Sequence, residues 1–183
     1  MTHDFNSKLS FSLGEREKFD MDVLKGAIHG CVRVDKTDEQ MDKQGIDYVA
    51  TLRKGAKVFI DAKAREKGAS RYWKHGEPEL ALEKWSVCPS SMLTGKVGWT
   101  LNEANPVDLI LYTFDTSDSR TFYLLPFQHL RMAFVKNCAA WQRKYMIKRQ
   151  NSQHWQSEAV FVPASIVLQA ITATMKGVAD NGD

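Results

Sequence analysis

Cysteine is scarce in this chain: Cys31, Cys88 and Cys138 are odd in number, widely spaced and without a CxxC pair. That pattern excludes a disulfide framework and a cysteine zinc site, and it reads as reduced cytosolic thiols. The five histidines are scattered, which argues against a histidine-based metal centre. No stretch approaches the roughly 20 consecutive apolar residues of a membrane helix. The start, Met1 to Asn6, lacks the charged and apolar regions of a signal peptide, so a cytoplasmic location is expected. There is no internal repeat and no low-complexity segment. Acid is missing from one long region: between Ser119 and Ser157 there is no Asp or Glu, against seven bases. The bases are Arg120, Arg131, Lys136, Arg143, Lys144, Lys148 and Arg149. A one-signed region of this kind attracts phosphates. The bland reading is a solvated helix face balanced by acids elsewhere.

What is present fits one ordinary core. The chain has 183 residues, 43% of them hydrophobic, and a net charge of only +3. Residues 1–13 read as a flexible arm, 14–175 as one domain and 176–183 as a tail. From Gly14 to His29, Phe19, Val23, Leu24, Ala27 and Ile28 recur at helical spacing, and Gly30 is a natural stop. Cys31 to Val34 is a short strand candidate and Asp35 to Gln44 a charged loop. Later strands are expected at Leu82–Val87, Val97–Trp99, Val107–Phe114, Thr121–Leu125 and Ala159–Val162. Residues 65–80 read as a mobile loop. A second helix is expected from Phe127 to Lys148, with Leu130, Phe134, Cys138, Trp141 and Tyr145 on one side. A third is expected from Ser165 to Met175. The mix predicts an α/β protein with a central mixed sheet flanked by helices.

The most specific feature lies between residues 45 and 63. Two apolar runs, Ile46–Leu52 and Lys57–Ala64, flank Arg53-Lys54-Gly55-Ala56, and this predicts a β-hairpin. The second run ends Asp61-Ala62-Lys63. Alternation along a strand sends Asp61 and Lys63 to the same side. Asp47 opens the first run. Two carboxylates and a lysine are the parts that metal-assisted phosphodiester cleavage requires: acids to hold the cation, an ammonium beside the reacting phosphate. Magnesium suits such oxygen ligands, with manganese as a substitute. The bland alternatives are a strand entering a charged loop for Asp61 and Lys63, and a turn acid for Asp47.

At these residues the chain resembles the PD-(D/E)XK nuclease superfamily, of phage or mobile-element type, with its restriction-endonuclease-like core. Ile46-Asp47 is similar to the family's first element and Asp61-Ala62-Lys63 to its second. Ile46 stands where the name-giving proline would, and Asp61 replaces the commoner glutamate. The family order is helix, three-strand meander, helix, strand. The resemblance implies a magnesium-dependent deoxyribonuclease acting on DNA, in which Asp47 and Asp61 hold metal and Lys63 activates water. Many members carry a glutamate on the first helix, and Gly14-Glu15-Arg16-Glu17 resembles that segment. It favours Glu17 as the third ligand; a 100° helical step sets Asp20 in the middle of the apolar stripe as reserve, and Glu83, on the strand after the triplet, is a weaker candidate. Cutting both strands of a duplex would require a homodimer.

Contacts to the nucleic-acid backbone are expected from Arg53, Lys54 and Lys57 in the hairpin turn, from Arg65 in the following loop, and from Arg143, Lys144, Lys148 and Arg149. Tyr72 and Trp73 in that loop are candidates for wedging into a duplex. Trp141 and Tyr145 fall on an apolar stripe and read as core. Two rival functions follow from the same residues. One is a nuclease-like fold that binds DNA without cutting; the other is an inhibitor-like interaction protein whose basic helix docks on an acidic partner.

Overall fold

The computed structural model describes residues 3–65, 73, 75–115, 120–152 and 155–179. The expected arm's first residues, half of the expected loop at 65–80 including Tyr72, and the end of the expected tail lie outside them. The protein is α/β, with a five-strand mixed sheet, a four-strand antiparallel sheet and four helices. The sequence predicted a single central sheet, and this is the main correction. Strand patterns report burial, but they do not say which distant strand is the partner. The five-strand sheet has the order β1-β2-β3-β6-β7 and the other β5-β4-β9-β8. Backbone contacts divide the chain into two units, 1–63 with 106–111, and 64–105 with 112–183.

In the first unit, helix α1 spans His3–Ala27, so its backbone includes residues that the sequence assigned to an arm. Strand β1, Cys31–Lys36, pairs antiparallel with β2, Tyr48–Leu52, and β2 pairs antiparallel with β3, Lys57–Arg65. The expected hairpin is therefore present. Its turn needs Gly55, whose φ of +81° lies where side-chain-bearing residues are strained. The segment Asp35–Gln44 is not all loop: a short helix α2 covers Glu39–Asp42, and the Asp38 carboxylate caps it by accepting from Met41 N at 2.9 Å. Leu24, Ile46, Tyr48, Ala50, Ile60, Val107 and Ile110 form the buried interior of this unit. Asp108 ties the 106–111 segment to β3, donating its N–H to the Phe59 carbonyl and accepting Phe59 N–H on Oδ2, both at 2.8 Å.

In the second unit, β4 (Glu79–Val87) pairs with the two-residue β5 (Lys96–Val97) and with β9 (Gln156–Pro163). Strand β6 (Leu109–Asp115) reaches this unit from Tyr112 onward, and β7 spans Arg120–Pro126. Helix α3 covers Phe127–Lys144 and packs on α4, Ala164–Ala179. The sequence carried α3 on to Lys148. The chain instead turns extended at Tyr145 and forms β8, Met146–Asn151, antiparallel to β9. Tyr145 keeps the helical spacing from Trp141, so periodicity could not reveal the stop; pairing with β9 decides it. Trp141 and Tyr145 are buried, as read. No described helix is long and apolar enough to cross a membrane.

Candidate active site

The register of the hairpin builds the site. Tyr48 stands opposite Ile60, and Asp47 N–H donates to the Ile60 carbonyl at 2.8 Å, so the next position along sets Asp47 across from Asp61. The Asp47 carboxylate folds onto β3, where its Oδ2 accepts the Ala62 N–H at 2.6 Å. Thr37 holds the other side of Asp47: its N–H and its hydroxyl both donate to the Asp47 carbonyl, at 3.0 and 3.1 Å. Asp61 is buried, with 3% of its surface exposed. Lys63 projects from the same face of β3 and its Nζ lies 2.7 Å from Asp61 Oδ1. The three residues singled out in the sequence therefore converge.

The electrostatics follow from this crowding. Burial pushes the Asp47 carboxyl above its usual range; the Ala62 N–H opposes the rise, and the neighbouring Asp61 carboxylate adds to it. Asp42, at the end of α2, acts in the lowering direction. Two adjacent carboxylates, one of them with its charge disfavoured by burial and by its neighbour, make a hard-oxygen donor set that fits a divalent cation. Among the described residues, no three His, Cys, Asp or Glu side chains are grouped closely enough to enclose a metal by themselves. Magnesium keeps several waters and needs only one or two protein carboxylates, so the pair meets its demand.

The first-helix acids go elsewhere. Asp20 is almost fully buried; Tyr48 donates its hydroxyl to Asp20 Oδ2 at 3.3 Å, and Arg16 Nε lies 3.9 Å from the same oxygen. Burial and then the Asp20 carboxylate push the Tyr48 phenol up. Asp20 is thus a core acid, consistent with its place in the middle of the apolar stripe. Glu17 forms an ion pair with Lys36 at the end of β1. It nonetheless borders the same cavity as Asp47, a space of about 390 Å³ that is also lined by Arg16, Lys36, Asp42 and Ala62. Sequence reading missed Lys36 and Asp42 by treating 35–44 as a plain loop. The signal was there: Val32, Val34 and Lys36 alternate, and Asp38 is a capping residue in front of a short helix.

Other expected residues serve different purposes. Glu83 belongs to the second unit, where its Oε2 accepts from Ser86 Oγ at 2.8 Å and Trp99 N at 3.1 Å. Arg65 does not point to solvent. Its Nε donates to the Tyr112 hydroxyl at 2.9 Å, and its guanidinium lies over the Tyr112 and Phe161 rings, 5.8 and 5.2 Å from their centroids. Trp73 makes an edge contact with Phe114 at 5.9 Å and is only half-exposed, so it is placed as packing. Arg53, Lys54 and Lys57 are exposed, but they sit at the turn end of the hairpin. Five residues of strand, about 17 Å, separate that turn from Asp47. Proximity in sequence had suggested otherwise.

The acid-poor region is less one-sided in space than in sequence. Arg120 pairs with Asp115, Arg131 with Glu103, and Arg149 Nε with Glu158 Oε2 at 2.9 Å. Lys136, Arg143, Lys144 and Lys148 remain exposed, with Lys144 Nζ 5.3 Å from the centre of the Tyr145 ring. Comparison of the chain with protein-family models, with curated proteins and with solved structures finds no match.

Proposed function

We propose that this chain is a magnesium-dependent deoxyribonuclease with a restriction-endonuclease-like core. One observation carries the reading: Asp47 and Asp61 face each other across β2 and β3, with the Lys63 ammonium on the same face beside Asp61. Apart from the four-residue α2 inserted between β1 and β2, the elements α1, β1, β2 and β3 follow the order of the first four elements of the PD-(D/E)XK core, and β6 takes the sheet position next to β3. One departure stands out. Among the described residues β3 is followed by β4 rather than by a helix.

Asp47 and Asp61 are the residues that would hold the cation. When bound, the ion supplies a water of lowered pKa and neutralises charge on the phosphate. Asp61, buried and fixed on a strand, sets the position of the ligand oxygens. Ala62 N–H locks Asp47 in the same orientation. Lys63 presents an ammonium that orients a water and stabilises negative charge developing on the phosphoryl oxygens.

Cleavage of plasmid and of labelled duplex and single-stranded oligonucleotides with Mg²⁺ tests the reading, with Asp61→Ala and Lys63→Ala alongside. Equal activity in parent and variants, or activity indifferent to EDTA, discards it. A second reading, DNA binding without cleavage, is favoured by one observation: Asp61 and Glu17 already have protein cations as counter-ions, Lys63 and Lys36. It predicts salt-sensitive retention of DNA and no metal-dependent product.

A further inference from the structure

The cavity beside Asp47 is lined by five acids, Glu17, Asp38, Glu39, Asp42 and Asp47, and by two bases, Arg16 and Lys36. Such a space favours cations, and two in it, Arg16 and Lys36, belong to the protein. Lys36 closes β1 and pairs in register with Tyr48, the neighbour of Asp47. Its ammonium is bound to Glu17, and both side chains are partly exposed, at 56% and 36%. The pair can therefore exchange partners without opening the core. Lys36 and a divalent ion would compete for the same negative region, since each lowers the field that attracts the other.

We infer that Lys36 is an exchangeable counter-ion: it neutralises Glu17 while the site is without metal, and passes to a phosphate of the nucleic-acid strand once a cation arrives. The inference rests on the nuclease reading. With a cation held by Asp47 and Asp61, the added positive charge would weaken the hold of Glu17 on the lysine. The ammonium then stands at the cavity wall, where a phosphodiester oxygen replaces the carboxylate. Glu17 would then keep its negative charge on the wall of the cavity it shares with Asp47. Lys36 is thus a positioning residue that links metal binding to substrate binding.

Two measurements without turnover test this on the full chain. The first is calorimetric titration of Mn²⁺ in the absence of DNA. Lys36→Gln is expected to bind Mn²⁺ roughly fivefold more tightly than the parent, the effect of removing one nearby positive charge. The second is the salt dependence of DNA affinity with Ca²⁺ present. Lys36→Gln is expected to lower the slope of log K against log salt by about one, and Lys36→Arg to restore it. Unchanged or weaker Mn²⁺ binding in Lys36→Gln, or an unchanged slope, overturns the inference and leaves Lys36 as a tether between α1 and β1. Asp61→Asn separates the two levels of argument. If the parent binds Mn²⁺ and Asp61→Asn does not, the nuclease site stands and only the role of Lys36 is judged. If the parent binds no Mn²⁺, both fall together.

Discussion

Asp47, at the head of β2, sits across from Asp61 on β3, and the Asp61 carboxylate makes ionisation of Asp47 less favourable. Asp47 registers this directly, with burial as the larger cause of its raised pKa and Asp61 adding to it. Its carboxylate is nonetheless anchored by the Ala62 N–H. A cation bound between the two carboxylates would offset the repulsion that Asp61 adds at Asp47.

Stability without metal should fall as pH rises through the Asp47 titration. The carboxyl is raised above its unfolded value, so its proton is bound more tightly in the folded protein. The contribution is complete below the unfolded value, 3.8, and is lost as pH climbs through the higher folded one. Asp47→Asn keeps an acceptor for Ala62 N–H and removes the charge. Thermal melts in EDTA should therefore show Asp47→Asn more stable than the parent at neutral pH, with the difference shrinking towards pH 4. A constant difference across that range would contradict the assignment.

Divalent cations should stabilise the parent, and more strongly at pH 8 than at pH 5, because the ligands must be deprotonated. At one hundred times the dissociation constant the gain is about 2.7 kcal/mol. For a chain of this size that is a rise of roughly 5–10 °C in Tm. Asp61→Asn should abolish the shift, which differential scanning fluorimetry with Mn²⁺ and with EDTA reads directly.

Lys63→Ala should separate chemistry from binding. The ammonium acts on charge that develops during cleavage, and loss of one such donor costs roughly 10²- to 10³-fold in rate. Mn²⁺ should still bind, since both carboxylates remain. Single-turnover cleavage beside Mn²⁺ titration distinguishes this from a variant that has lost its metal.

Arg65 and Lys148 should respond in opposite ways. The Tyr112 hydroxyl, fully enclosed, accepts from both Arg65 Nε and Ala81 N, at 2.9 and 3.0 Å. Tyr112→Phe strands both donors, and about 1–3 kcal/mol of stability should disappear in urea titration. Arg65→Ala should behave similarly and leave the salt slope of DNA binding alone. Lys148→Ala, on an exposed strand, should leave stability within about 0.5 kcal/mol. It should lower the salt slope by about one if β8 meets phosphate.

The legible parts of this protein were those set by spacing within a few residues. Asp61 and Lys63 share a face because a strand alternates, and Asp47 meets Asp61 because the Gly55 turn fixes the register. Asp20 is drawn into the core because it lies mid-stripe on α1. The pairing of β4 with β9, the conversion of residues 146–148 from expected helix to part of an edge strand, and the capture of Arg65 by Tyr112 and Phe161 were not readable. Each depends on a partner far along the chain. A long-range partner leaves no periodic trace in the segment it claims, since only folding brings the two together. Composition and spacing thus determined which side chains can reach the candidate site. Tertiary packing decided that Glu17 answers to Lys36, and that Arg65 serves the interior instead of a phosphate.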